Sequence, residues 1–138
     1  MNPIRSVGNA MNYRIWPRPA SVISVARPGY RHFAIVSDYW DYGTPMVTSF
    51  EPDGLKTISM LEFSPNGDWQ DEGYWSDLPE WEVLTRALSF YDRRYDLVWL
   101  NCEHHVRFAH GKKMDSPQVK RGLLLGIALA GVALLASK

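Results

Sequence analysis

The chain has 138 residues, which is enough for one domain with an adequate hydrophobic core. Lysine and arginine (15) balance aspartate and glutamate (15), so the net charge gives no indication of a nucleic-acid partner. A single cysteine excludes an intrachain disulfide and fits a reducing compartment.

The first half of the chain predicts a small antiparallel sheet. Residues 1–15 show no clear pattern and no secretory signal, and we interpret them as a lead-in. Two strands rich in β-branched residues flank the turn signal Pro28-Gly29 and should form a hairpin. The predicted elements are strands at Ser21–Ala26, Arg31–Ser37 and Pro45–Phe50, a short strand within Leu55–Phe63, a turn at Asp38–Thr44 and a loop at Ser64–Trp75.

A helix is predicted to follow this loop. Asp77 is a candidate N-cap residue, and Glu80 three residues later would complete a capping box. Apolar residues then recur at helical spacing, which predicts that one face is buried. That face contains Trp81, Leu84, Leu88 and Tyr91.

The only cysteine lies in a segment with the pattern of a strand, a cap and a helix. The apolar run Tyr95–Leu100 predicts a buried strand, Asn101 is a good N-cap residue, and Gly111 is a good residue to end the helix. Cys102 would then lie in the first turn, where free N–H groups and the helix dipole favour an anion. We therefore expect a lowered thiol pKa and a nucleophilic cysteine.

A cysteine nucleophile needs a base, which is usually a histidine. His32, at the start of a predicted strand, is our candidate, although the fold must bring it to Cys102 across about 70 residues of chain. The alternative is a zinc site made of Cys102, His105 and His32, but structural zinc sites usually contain more cysteines. We therefore predict no metal and no other cofactor, with His104 in a supporting role beside Asn101.

The C-terminal segment, residues 116–138, predicts a membrane-anchor helix. Ser116-Pro117 is a helix-start signal, and residues 122–136 are all apolar, which is short of the roughly 18 to 20 residues of a comfortable span. The alternative is a buried core helix, but a helix that is apolar on all sides needs lipid or a large interior. The residues assigned to the anchor are Gly122, Leu123, Gly126 and Leu134.

Two further expectations rest on this segment. Gly122 and Gly126 form a small-xxx-small pair that suits close helix packing, so a homodimer through them is an open expectation. Lys120 and Arg121 precede the apolar run, and the positive-inside tendency predicts that the domain faces the cytoplasm.

The motifs together resemble one known family. Asn101-Cys102-Glu103-His104 resembles the Asn-Cys-Glu-His box of the lecithin:retinol acyltransferase-like proteins, which belong to the wider NlpC-type papain-like superfamily. The segment 27–36, which contains His32, resembles the histidine strand of that family. Ser116-Pro117-Gln118-Val119, followed by an apolar run, resembles the segment after its box.

The resemblance implies a circularly permuted, papain-like α+β fold, with an antiparallel sheet packed on helices and a catalytic domain at residues 16–115. It implies that Cys102 carries an acyl group as a thioester, with His32 as base and then acid. Many members have a second histidine on the next strand that orients the first. Thr44 has the spacing of that residue, but Thr48 fits the predicted strand better, so Thr48 is the candidate third residue. Another departure is His105, where members commonly have phenylalanine.

The leading hypothesis is a membrane-anchored, cysteine-dependent acyltransferase or phospholipase A that acts on lipid esters. The backbone N–H of Cys102 would help to hold the oxyanion. Two alternatives stay open: an amidase or peptidase of the same superfamily, and a non-catalytic, membrane-tethered interaction module. An apolar groove beside Cys102 would favour lipid, whereas a polar cleft would favour a peptide.

Overall fold

A computed structural model of the chain describes residues 6–7, 13–14, 16–41 and 43–122. Seven strands and three complete α-helices lie in this part, with a 3₁₀ turn after the second helix and a helical segment at 117–122. The strands are β1 (Ser6–Val7), β2 (Tyr13–Arg14), β3 (Val22–Arg27), β4 (Tyr30–Asp41), β5 (Thr44–Glu51), β6 (Gly54–Ser59) and β7 (Gln70–Gly73). The helices are α1 (Met60–Phe63), α2 (Glu80–Leu88) and α3 (Cys102–Ala109), and the 3₁₀ turn is Ser89–Asp92.

The main sheet is antiparallel, with the strand order β6-β5-β4-β3-β7, and β1 pairs with β2 separately. Tight hairpins join its central strands because Gly29 and Gly54 adopt positive φ angles that other residues rarely adopt. The predicted hairpin of the first two main strands is therefore confirmed, with Arg27 opposite Tyr30. The α+β class with an antiparallel sheet is also confirmed, whereas circular permutation stays a prediction.

Apolar residues cover both faces of the sheet. On one face, strand residues pack against Met60 and Phe63 of α1. On the other face, Val22 and Ile35 pack against α2 and α3 through Val83, Ala87 and Val106. Since neighbouring residues of a strand point to opposite faces, one strand serves both clusters. This alternation decides which residues of β4 and β5 can meet at the site.

Two loop and turn predictions were wrong in extent. The second strand continues through most of the predicted turn 38–44, because β4 runs to Asp41, which pairs with Thr44 of β5. The predicted loop 64–75 contains β7, which forms an edge of the sheet. The short strand predicted within 55–63 is confirmed as β6, which ends at Ser59. The hydroxyl of Ser59 then accepts from the N–H of Glu62 and starts α1.

The predicted start of α2 was wrong, and its predicted buried face was right only in part. Pro79 is the N-cap and makes no side-chain cap hydrogen bond, so Asp77 does not cap this helix. The residues that α2 buries are Val83 and Ala87, and Leu84 is half-buried against the same cluster. Trp81, Leu88 and Tyr91 are exposed, because α3 and the sheet cover the neighbouring face.

The largest correction concerns residues 95–100, which form a tight turn and not a buried strand. An isolated bridge joins Asp96 to Leu100, and the three residues between them form the turn. Leu97 and Trp99 are exposed. The apolar run was misleading because a fully buried strand and an exposed apolar turn give the same composition.

The C-terminal predictions fall mostly outside the described residues. Residues 117–122 are helical, and the hydroxyl of Ser116 accepts from the N–H of Val119, as the helix-start signal predicts. Gly122 is exposed, whereas Leu123, Gly126 and Leu134 lie outside the described residues. Among the helices of the described ranges, none has the length and apolarity needed to cross a membrane.

Candidate active site

Cys102 is the first residue of α3, and its neighbours fix this helix start. The side-chain oxygen of Asn101 accepts from the backbone N–H groups of Glu103 (2.9 Å) and His104 (3.3 Å). The Nδ1 atom of His104 accepts in return from the N–H of Asn101 at 3.0 Å. This reciprocal capping satisfies donors that a helix start leaves free. The predicted supporting residues therefore hold the turn that carries the cysteine.

The thiol of Cys102 lies against β4 at the position of His32. Its Sγ atom is 4.0 Å from the carbonyl oxygen of Arg31, and the backbone N–H of Phe33 is a hydrogen-bond donor to it. Arg31 and Phe33 flank His32 in the strand. The distant histidine and the cysteine, which are 70 residues apart in sequence, are thus brought to one place in the fold.

His32 is fully buried, and its Nε2 atom faces β5. It lies 2.7 Å from Ser49 Oγ and 3.3 Å from Glu51 Oε1. The hydroxyl of Ser49 donates to the same Glu51 oxygen at 3.0 Å. Arg27 completes the chain of contacts, because its Nη1 atom donates to Glu51 Oε2 at 3.0 Å. The imidazole is therefore held by a serine, a carboxylate and a guanidinium in series.

For the neutral form of His32, one tautomer fits these contacts. The single proton of the Ser49 hydroxyl goes to Glu51, so Ser49 accepts from the imidazole, and Nε2 carries the proton. In the neutral ring, Nδ1 is then an unprotonated acceptor. Within the described part of the chain this buried Nδ1 atom has no hydrogen-bond partner. A base with an open lone pair is what a neutral thiol needs.

The predicted third residue, Thr48, is on the wrong face. It pairs with Ile35, three positions from His32 along β4, so alternation places it on the face opposite the imidazole. Ser49 and Glu51 have the parity that reaches His32. The choice between Thr48 and Ser49 depends on the β4–β5 register. That register could not be counted correctly because the turn between these strands was predicted at 38–44, whereas β4 runs to Asp41. The available signal was Glu51, the single charged residue of this strand, at its end.

The thiol pKa differs from the sequence expectation. Burial raises the pKa of Cys102 to about 11, and it outweighs the hydrogen bonds from the N–H groups of Phe33 and Glu103. The expected lowering at the helix start was wrong because the sulfur is removed from water as well as placed near donors. At neutral pH the resting thiol keeps its proton, so attack requires proton transfer to a base.

Glu51 is the anion of the site. Burial would raise its pKa, but hydrogen bonds from His32 and Arg27, with the charges of Arg27 and of protonated His32, lower it to about 2. The carboxylate is therefore ionised at neutral pH and can stabilise an imidazolium that forms at His32. The hydroxyl of the predicted third residue, Thr48, would carry no such charge.

The segment after α3 is clamped to the strand beside the thiol. The side chain of Gln118 accepts from the N–H of Arg31 at 2.7 Å and donates to its carbonyl oxygen at 3.0 Å. It also donates to Glu103 at 2.8 Å, and Ser116 donates to the same carboxylate oxygen at 2.7 Å. Gln118 thus pairs with β4 as a neighbouring strand would.

Cys102 lines a cavity of about 470 Å³. Its walls come from the β3–β4 hairpin, the 95–100 turn, the start of α3 and the helical segment 117–122. Most of the lining side chains are apolar or aromatic, and the polar ones lie next to the cysteine. The lining residues include Pro28, Tyr30, Tyr95, Leu97, Val98 and Val119.

The remaining histidines serve the core. His105 Nε2 contacts the carbonyl oxygen of Ala87 at 2.9 Å, and its ring packs between Phe50 and Phe90. Burial lowers its pKa to about 4, so the ring is neutral at physiological pH. Across the described ranges, no three His, Cys, Asp or Glu side chains converge as metal ligands would.

A cysteine at a helix N-terminus, beside a histidine on a strand that a third group orients, is the arrangement used for thiol-dependent acyl transfer. The chain is similar to Phospholipase A and acyltransferase 5 of Mus musculus, with 29% identity over 137 residues. Its similarity to Phospholipase A and acyltransferase 5 of Homo sapiens is 28% over 138 residues. Each match covers 87% of this chain.

The comparison confirms the resemblance to the lecithin:retinol acyltransferase-like family, to which both relatives belong. The chain spans about half the length of these relatives, 51% of the mouse protein and 50% of the human one. No family model matches the chain.

Proposed function

We propose that this protein is a cysteine-dependent acyltransferase or phospholipase A that cleaves lipid esters through an acyl-thioester on Cys102. The observation that carries the proposal is the place of the thiol. It lies against the two residues that flank His32, at the wall of an apolar cavity. The names of the relatives, phospholipase A and acyltransferase, support the same chemistry.

In the first half of the reaction, Nδ1 of His32 takes the thiol proton while the sulfur attacks the ester carbonyl carbon. The carbonyl π electrons move onto oxygen, and the backbone N–H of Cys102 donates to this oxyanion. The Asn101 cap engages the next two N–H groups and leaves that of Cys102 for this role. Glu51, through Ser49, stabilises the imidazolium.

Collapse of the tetrahedral intermediate re-forms the carbonyl and breaks the ester C–O bond. The proton on His32 Nδ1 passes to the departing alcohol, which leaves a lysolipid and an acyl-thioester on Cys102. In the second half, an acceptor loses its proton to His32 and attacks the thioester. Water as acceptor gives a fatty acid and a hydrolase, whereas an amine or alcohol gives a transferase.

The lining of the cavity favours lipid over peptide. Its wall is built from aliphatic and aromatic side chains such as Tyr30, Tyr95 and Val119, which suit an acyl chain. A peptidase of this superfamily would need paired polar groups along the cleft to bind a peptide backbone. An interaction module would have no use for a buried thiol placed against the two residues that flank a histidine.

The proposal includes a membrane anchor at residues 116–138, which contains Gly122, Leu123, Gly126 and Leu134. Its support is the unbroken apolar sequence after Arg121. The cytoplasmic orientation and a homodimer through Gly122 and Gly126 are further proposals that rest on the flanking charges and the glycine spacing.

The test is to trap the acyl-enzyme. The full chain is incubated with a phospholipid that carries a clickable acyl chain, quenched in acid and mapped by mass spectrometry. We expect the acyl mass on Cys102, no adduct in Cys102→Ala, and a strong reduction in His32→Asn. Thr48→Val is the matched control, since its hydroxyl is on the other face, and it should label normally. Absence of any adduct with lipid, amide and ester probes in the folded wild type would overturn the proposal.

A further inference from the structure

The turn formed by residues 96–100 is a built element that exposes apolar side chains. The backbone of Asp96 donates to Leu100 at 2.7 Å and accepts from it at 3.0 Å. The carboxylate of Asp96 accepts from the N–H groups of Val98 and Trp99, each at 2.9 Å. Asn101, the cap of α3, donates to the carbonyl oxygen of Leu97 at 2.8 Å. The turn is thereby fixed to the helix that carries the nucleophile.

Such a turn holds its apolar side chains out toward the solvent. Trp99 is 80% exposed and Leu97 is 63% exposed. A single exposed apolar residue is ordinary, but two in one hydrogen-bonded turn form a patch that needs a reason. The hydrophobic effect favours removing these two side chains from water. Five hydrogen bonds nevertheless hold the turn in the conformation that exposes them.

The same turn forms a wall of the cavity that contains Cys102. Leu97 and Val98 line it from one side, and Val119 and Gly122 line it from the other. The exposed patch is therefore continuous with the entrance that an acyl chain would use. A molecule held against Leu97 and Trp99 has a direct apolar route to the thiol.

Two features of the surroundings indicate what covers this patch. Lys120 and Arg121 are exposed on the helical segment that contributes Val119 and Gly122 to the cavity. The acidic groups beside them are already engaged, Asp96 by the turn and Asp115 by Arg107 and Lys120. The chain then continues past Gly122 into 14 further apolar residues. Apolar side chains rimmed by basic ones suit the interface of an anionic bilayer.

We propose that the turn formed by residues 96–100 is a docking surface for a phospholipid bilayer, with Leu97 and Trp99 inserted at the interface beside the cavity entrance. This inference rests on the proposed function, because it concerns how a lipid substrate reaches Cys102. Insertion removes the two side chains from water and places the cavity mouth at the level of the lipid esters. The anchor segment alone would keep the protein at a membrane without fixing this orientation.

The first experiment measures insertion without catalysis. The full chain carrying Cys102→Ala is mixed with vesicles of brominated phosphatidylcholine and phosphatidylserine, and tryptophan fluorescence is recorded. Trp99 and Trp81 are the two strongly exposed tryptophans of the chain. We expect bromine quenching to fall in Trp99→Phe and to be unchanged in Trp81→Phe, the matched control on α2.

The second experiment measures the consequence for turnover. Trp99→Ser should lower the rate on vesicle phospholipid about tenfold, since burial of a large apolar side chain is lost. The rate on a water-soluble short-chain ester should be unchanged, because Trp99 is not among the residues that line the cavity. Trp81→Ser should leave both rates unchanged.

The outcomes separate this inference from the proposed function. If bromine quenches the Trp99→Phe variant as strongly as its Cys102→Ala parent, docking through this turn is overturned. That result would indicate that the patch is covered by residues 123–138 or by a second copy of the chain. Equal losses on vesicle and soluble esters would also overturn it. Failure of the proposed function gives a different result, namely normal quenching with no acyl adduct on Cys102.

Discussion

Ser49 Oγ lies 2.7 Å from His32 Nε2 and donates a hydrogen bond to the carboxylate of Glu51. The pair holds the imidazole in the tautomer whose Nδ1 can accept a proton. Removal of the hydroxyl in Ser49→Ala leaves the weaker contact of His32 with Glu51 at 3.3 Å. We expect kcat to fall about tenfold, the effect of losing one hydrogen bond to a group that becomes charged.

The controls for this prediction distinguish positioning from general damage. KM should hardly change, because Ser49 does not line the cavity. Ser49→Thr keeps the hydroxyl and should restore most of the rate, and Thr48→Val should be close to wild type. If Thr48→Val lowers kcat as much as Ser49→Ala does, the hydroxyl on the other face is the orienting group and our assignment fails.

The buried thiol makes a second prediction about pH. Because burial raises the pKa of Cys102 to about 11, its alkylation by iodoacetamide should be slow at pH 7 and rise about tenfold per pH unit toward that value. Denatured chain should reach its plateau near the ordinary thiol pKa. Cys102 is the only cysteine, so Cys102→Ala gives the background. A plateau near neutral pH in the folded protein would instead indicate a thiolate paired with an imidazolium.

Some of the site could be predicted from sequence, because it depends on local chemistry. Asn101 and Cys102 are adjacent at the start of one helix, and Gly111 follows its end. The cap, the first residue and the stop of this helix follow from local backbone rules. The Pro28-Gly29 hairpin could be predicted for the same reason, because its turn also depends on neighbouring residues. The partner of His32 could not be predicted, since it depends on a register between two strands and changes face with every single-residue slip.

The buried face of α2 failed for a different reason. Its apolar residues were assigned to the core by periodicity alone, and periodicity does not say which of two apolar stripes is covered. Val83 and Ala87 are small enough for α3 to approach closely, so their side of α2 is buried, whereas the larger Trp81 is left in water. Helix packing distance decided the face, and that is a tertiary quantity.

Glu51 should make the stability of the fold depend on acid. Folding lowers its pKa from the usual value of 4.5 to about 2, so between these values the unfolded chain binds more protons than the folded one. Stability contributed by this group is therefore complete above 4.5 and is lost as the pH falls toward 2, by about 3 kcal/mol. Urea unfolding at a series of pH values measures it.

The matched variant for this prediction is Glu51→Gln. It should be less stable than wild type near neutral pH, and its free energy of unfolding should fall less steeply between pH 4.5 and 2. Glu62, an exposed carboxylate on α1, gives the control Glu62→Gln, which should keep the acid dependence of wild type. Parallel acid curves for wild type and Glu51→Gln would show that Glu51 is not the group responsible.

Gln118 joins the segment after α3 to the strand that carries His32, so its loss should loosen the site from the side of the anchor. Gln118→Ala removes both contacts to Arg31 and one to Glu103, and should cost about 1–3 kcal/mol because buried polar groups lose partners. Hydrogen exchange at the Arg31 amide should accelerate in step. Gln70→Ala, at the only other glutamine, is on the exposed edge strand β7 and should change stability by less than about 0.5 kcal/mol. Unchanged exchange at Arg31 in Gln118→Ala would mean that the clamp does not hold this strand in solution.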